Sequence, residues 1–174
     1  DKGIIVCEGY DFEIIERAYK PYDNLSVLVV LKPDGNMEKK VIASVVEALT
    51  TDVTDQSNWQ TLKNIFSNPS LQMVSFTITE KGYSLKNARG EYYGDVVSDF
   101  EAGTESPKSF IGKLASLCYE RYKSGKYPLA LVSMDNCSHN GSKLHEAVSA
   151  FAKEWAKNGL VEEGFVDYIE NPEK

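Results

Sequence analysis

Apolar and polar positions along the chain fall into two alternating kinds of segment. Short apolar runs at residues 3–7, 25–31, 72–79 and 129–134 are rich in Val, Ile or Leu and predict strands. Ile4-Ile5-Val6 and Leu129-Ala130-Leu131-Val132 show no alternation, the pattern of strands covered on both faces. Between the runs lie segments of helical spacing. Ser57 and Gln60 form a capping box ahead of the stripe Trp59, Leu62, Ile65 and Phe66. Ser106 as cap, Pro107 in the first turn and Gly125 as stop frame a second helix with Phe110, Ile111, Leu114, Leu117 and Cys118 on its apolar face. A third runs over 142–158 and is closed by Gly159, with Leu144, Ala147, Val148, Phe151, Ala152 and Trp155 facing the core. A short fourth covers 162–169, and 87–105 reads as a long polar loop.

One stretch breaks the alternation. Residues 25–31, then Pro33-Asp34-Gly35-Asn36, then 41–45 predict a β-hairpin. Strand–helix–strand order elsewhere predicts a mostly parallel sheet with covering helices, because parallel neighbours need crossovers. The expected fold class is therefore α/β with an inserted hairpin. A domain over 1–169 is expected, with 170–174 as the start of a linker.

Composition narrows the partners. The 174 residues suit one core, and the net charge of −7 comes without a basic cluster, so no nucleic acid partner is expected. No run approaches a membrane span, and no membrane partner is expected. Cys7, Cys118 and Cys137 match no disulfide or metal spacing, which points to a reducing, cytoplasmic setting; Cys7 and Cys118 read as small core residues. His139 and His145 stand six apart with no carboxylate pair to complete a metal site, so none is expected.

In parallel sheets ligands sit beyond the C-terminal strand ends, and three such ends carry polar clusters. Glu8 and Asp11 follow the first strand; either can accept from ribose hydroxyls, and either can be a solvated turn acid. Ser75-Phe76-Thr77-Ile78-Thr79-Glu80-Lys81-Gly82-Tyr83 alternates hydroxyls with apolar residues, as a ribose-binding edge or as a half-buried strand. Asp135-Asn136 follows a wholly apolar strand and precedes His139-Asn140-Gly141 at a helix start. An Asn amide there can polarise a carbonyl; equally, Asn140 can cap the helix and Asp135 close a turn.

Taken together, Ser133-Met134-Asp135-Asn136-Cys137-Ser138-His139-Asn140-Gly141 resembles the Ser-x-Asp-Asn-x-x-x-Asn-Gly motif of the polyol-specific long-chain dehydrogenase/reductase family, of the mannitol 2-dehydrogenase and fructuronate (mannonate) reductase type. Thr77-Ile78-Thr79-Glu80-Lys81-Gly82-Tyr83 resembles that family's Thr-x-Thr-Glu-x-Gly-Tyr segment. The resemblance covers essentially the whole chain. It implies a Rossmann-like domain and metal-free hydride transfer between NAD and a small-molecule polyol, ketose or sugar acid. It implies that Asn136 is catalytic, helping to form an oxyanion hole beside the nicotinamide. It places Glu8 or Asp11 near the adenosine ribose, Thr79, Glu80, Gly82 and Asp135 along the cofactor cleft, and Asn140 beside the substrate. Residues 3–7 match the family's second strand, so the first βα unit is expected to be missing. No match to the family's Lys-x₄-Asn-x₂-His pattern occurs, so a C-terminal helical domain of the same protein is expected as partner, and the fragment alone is expected to be inactive; with the first strand missing, it is expected to self-associate or to have the gap filled by another segment. A non-catalytic nucleotide- or sugar-binding module on a doubly wound fold is the alternative.

Overall fold

The computed structural model describes residues 3–171. The chain divides into two compact units, Asp1–Trp59 and Gln60–Lys174. Of the linker expected at 170–174, Glu170 ends a helix, and 172–174 lie outside the described residues.

The first unit holds β1 (Ile4–Glu8), a π-helical turn (Ile15–Tyr19), a 3₁₀ turn (Lys20–Tyr22), β2 (Ser26–Leu31), β3 (Met37–Ile42) and β4 (Val45–Thr50). β1 and β4 pair in parallel, from Ile5 opposite Glu47 to Glu8 opposite Thr50. β2 and β3 form the expected hairpin, but its return strand starts earlier than expected and β4 is a separate strand. The turn explains the early start. Gly35, at φ 84°, lets its N–H reach the Lys32 carbonyl, and the Asp34 carboxylate accepts from the Asn36 N–H and side-chain amide, so pairing resumes at Met37. Only Ala43-Ser44 separate β3 from β4, which is why residues 41–45 read as one strand.

Register puts Val27, Val29, Leu31, Met37 and Val41 on one face of the hairpin with Lys39, and those five apolar side chains are exposed. The expectation of β1 covered on both faces is corrected: Ile4 and Cys7 are exposed, and each parallel pair has two strands, leaving an edge and part of a face open. Ile15, Ala48, Leu49 and Trp59 are this unit's buried apolar residues among those described.

The helix α1 (Gln56–Ser67) begins at the end of the first unit. Asp55 caps it, accepting from the Ser57 and Asn58 N–H groups; Gln60 bonds forward to Asn64, so the expected Ser57–Gln60 box does not form. In the second unit follow β5 (Met73–Phe76), the single turn α2 (Thr79–Gly82), α3 (Gly94–Ala102), α4 (Phe110–Lys123), β6 (Ala130–Ser133), α5 (Asn140–Lys157) and α6 (Glu163–Glu170). β5 and β6 pair in parallel from Met73–Ala130 to Phe76–Ser133. α5 buries all six side chains its spacing selects, and Gly159 stops it at φ 70°.

Two corrections concern helix starts. α3 occupies part of the loop expected at 87–105, burying Val96, Asp99 and Phe100. The Asp99 carboxylate accepts from the Lys108 N–H, Ser109 N–H and Ser109 hydroxyl, and that hydroxyl in turn accepts from the Gly112 N–H. Ser109 therefore caps α4, not Ser106.

Arg121 is the most demanding buried group, 0% exposed near the end of α4. Its Nε donates to the Tyr127 carbonyl (2.9 Å), Nη1 to those of Phe66 (2.8 Å) and Asn68 (3.0 Å), and Nη2 to those of Leu71 (2.7 Å) and Pro128 (2.8 Å). All five guanidinium protons are thereby used on main-chain carbonyls. Those carbonyls end α1 and precede β5 and β6, so one side chain sets where both strands begin.

Candidate functional site

The ladder between β5 and β6 ends with the Met134 N–H on the Phe76 carbonyl at 2.8 Å. β5 was expected to run to residue 79 but stops at Phe76, because the next donors turn to a side chain. The Asp135 carboxylate accepts from the N–H groups of Ile78 (2.9 Å) and Thr79 (3.0 Å), and from the Tyr83 hydroxyl in a short bond. Tyr83 has one hydroxyl proton and gives it to Asp135; the Ser133 hydroxyl, 2.7 Å away, therefore donates to the Tyr83 oxygen. The loops after two adjacent parallel strands are joined by one carboxylate.

The backbone shows the same constraint. Thr79 lies at φ 63°, a region that costs a β-branched residue on the order of 1–3 kcal/mol. Its N–H bond to Asp135 holds it there. Gly82 is required by packing: a Cβ on it would meet the Ile78 side chain at 2.9 Å. Glu80 pairs with Lys143 of α5 at 2.5 Å, lowering the carboxylate pKa and raising the ammonium pKa. Asn140 is half-buried. Its amide donates to the Asp135 carbonyl (2.7 Å), and its oxygen accepts from the Gly141 N–H (2.7 Å). Asn136 is exposed, and its side-chain amide makes no hydrogen bond among the described residues.

The candidates thus separate by how their polar atoms are used. Asp135 and Asn140 spend theirs on the chain itself, exposed Glu80 uses one carboxylate oxygen on Lys143, Thr79 bonds through its backbone, and Asn136 presents an unengaged amide at a strand's C-terminal end. Tyr83, Ser133 and Lys143 were given no role by sequence reasoning. The only signal for Tyr83 was its place at the end of the second motif. In the first unit, Glu8 at the end of β1 turns one carboxylate oxygen onto the Gly9 (3.0 Å) and Tyr10 (3.3 Å) N–H groups, and Asp11 is exposed.

Burial first, and the Asp135 carboxylate second, push the Tyr83 hydroxyl up to about 12, so it remains a donor at neutral pH. The Tyr83 hydroxyl first, and then the Ile78 and Thr79 N–H groups, hold Asp135 below the usual carboxylate value. A carboxyl whose folded pKa is depressed stabilises above its unfolded pKa, and this is lost as pH falls through the folded value. The stability deficit of Asp135→Asn relative to the parent is therefore expected to be constant above about pH 5 and to shrink below about pH 4. Urea unfolding at stepped pH checks this; a deficit unchanged down to about pH 3 would show that the charge is not what matters.

No family model matches the chain. It is 51% identical to the D-mannonate oxidoreductase of Thermotoga maritima over 170 residues, covering 98% of this chain and 31% of that protein. The chain belongs to the polyol-specific long-chain dehydrogenase/reductase family. It is also 30% identical to the D-mannonate oxidoreductase of Escherichia coli over 156 residues, 85% of this chain and 31% of that protein. Among solved structures of the family, a mannitol 2-dehydrogenase of Pseudomonas fluorescens, in a ternary complex with NAD and D-mannitol, matches with a TM-score of 0.67 and 27% identity, over 91% of this chain and 30% of that one. A D-sorbitol dehydrogenase in substrate-free form shares the fold with a TM-score of 0.76, 23% identity, and coverage of 97% and 34%. The α/β fold with parallel strand pairs is thus that of the family's dehydrogenases. The chain spans about a third of the length of the curated relatives it matches.

Proposed function

We propose that the protein carrying this chain is an NAD-dependent oxidoreductase, and that this chain supplies cofactor-binding residues. The reaction would be hydride transfer between NAD and a sugar alcohol or sugar acid, such as mannitol to fructose or mannonate to fructuronate. The observation that carries this reading is the exposed, unengaged amide of Asn136, presented at the C-terminal end of a parallel strand by a loop tied down on both sides.

Each unit, taken by itself, carries polar residues at a strand end that suit part of a dinucleotide. Glu8 closes a parallel strand and has a carboxylate oxygen left for a ribose hydroxyl; a negative charge there disfavours a 2′-phosphate. Asp11, exposed nearby in sequence, is the second acid of that turn. When bound, NAD accepts or returns the hydride. Asn136 Nδ2–H donates to the substrate oxygen, where negative charge gathers as the carbonyl forms or is reduced. A neutral amide needs no pKa tuning for this and is pre-aimed by its loop. A proton must also leave the substrate hydroxyl. No residue of this chain takes that role, which this reading gives to the lysine of the family's C-terminal helical domain.

The complete protein is expected to quench tryptophan fluorescence on NAD titration and to turn over at least one of mannitol, fructose, mannonate and fructuronate. Binding without turnover on all four would favour a nucleotide-binding module instead. The isolated 174 residues are expected to show no turnover, and light scattering is expected to give a mass above the monomer, given the exposed Ile4, Val46 and hairpin face. Turnover by the isolated chain, or a clean monomer, would remove that part of the proposal.

A further inference from the structure

We infer that Tyr83 and Asp135 are positioning residues that act through Asn136, and that the Asp135 carboxylate is not a cofactor ligand. This rests on the proposed function for its kinetic meaning. An ionised carboxylate offers about four lone-pair sites, and three donors from the chain itself fill most of those on Asp135. The Asp135 carbonyl is fixed as well, by the Asn140 amide at 2.7 Å and the Cys137 N–H at 3.0 Å. The Cys137 N–H bond to the Asp135 carbonyl closes a three-residue turn centred on Asn136, and with residue 135 held at both its side chain and its carbonyl this turn sets the direction in which the Asn136 side chain leaves the backbone. Tyr83 is the outermost support. Its side chain is 3% exposed, so its hydroxyl is held by packing, and Ser133 on β6 donates to it. The unit is a chain of hydroxyl, hydroxyl, carboxylate and peptide running from one strand to the next loop, with the reacting amide at its free end.

A residue that merely staples the loop would affect folding or cofactor affinity. A residue that aims an amide affects the chemical step, where a displacement of about 1 Å costs up to about 10²-fold. Tyr83→Phe keeps the ring and removes the hydroxyl. In the complete protein it is expected to lower kcat about tenfold while the Kd for NAD stays within about twofold. The tenfold loss is expected to vanish in an Asn136→Ala background, since nothing is then left to aim. Equal losses in both backgrounds, or a loss carried by NAD affinity, would overturn the inference.

A second arm needs no substrate. Hydrogen exchange of the segment 77–80 is expected to quicken about tenfold in Tyr83→Phe, and unchanged exchange would overturn the inference. If the complete parent protein turns over no sugar alcohol or sugar acid, the proposed function fails, and the clasp stands or falls on exchange alone. Should Tyr83→Phe not accumulate folded, Ser133→Ala removes the hydroxyl that donates to Tyr83 and is expected to give the same kinetic split at about threefold.

Discussion

Asn136→Ala in the complete protein is expected to lower kcat by about 10²–10³-fold, the range for removing one donor from an oxyanion hole. NAD affinity is expected to stay within about threefold, because the amide stabilises charge that exists only while the substrate oxygen reacts. Asn136→Asp should be at least as severe, since it sets an acceptor with negative charge against a developing negative oxygen. Steady-state rates on the best substrate, with NAD titration alongside, separate the outcomes. A variant that keeps kcat within about threefold would remove Asn136 from the chemistry. One that loses NAD binding in proportion would make it a cofactor ligand.

The largest effect on stability is expected at Arg121. Arg121→Leu would leave five carbonyl oxygens without their donor. Unpaired buried acceptors each cost on the order of 1–3 kcal/mol, and neighbouring losses are not additive. About 3–5 kcal/mol overall is expected, as for breaking a buried charged network. In a domain of this size that is a fall in Tm of roughly 10 °C. Arg121→Lys should recover little: an ammonium has three donors at one point and cannot span carbonyls from Phe66 to Pro128. Thermal unfolding followed by circular dichroism checks both variants; a shift under about 2 °C for Arg121→Leu would show that water replaces the guanidinium at little cost.

Much of this architecture was legible in the apolar pattern. α5 could be read residue by residue because one stripe packs into the core and Gly159 stops the helix. The two motifs after β5 and β6 also pointed to the two loops that the Asp135 carboxylate joins. What escaped was decided by partners far away in sequence. Asp135 lies 57 positions from Ile78, and no local pattern says that its carboxylate will take that N–H and shorten β5. Nothing in the local pattern singles out Arg121, because the carbonyls that bury it come from 50 to 55 positions upstream as well as from the following turn. The α3 segment reads as loop because the stretch around it is long, polar and contains glycine, while Asp99 secures the start of the next helix. β4 was hidden because two small residues suffice to end one strand and begin another.

The close approach of Ile78 to Gly82 limits how the segment between β5 and α3 can be redesigned. Alanine at 82 collides with a packed side chain, residue 79 must hold a left-handed backbone, and 83 must carry a hydroxyl. Thr77 and Lys81 point into solvent free of those duties. Sequence diversity in this segment therefore belongs at these two sites, where new side chains can be tried without dismantling the frame that carries them.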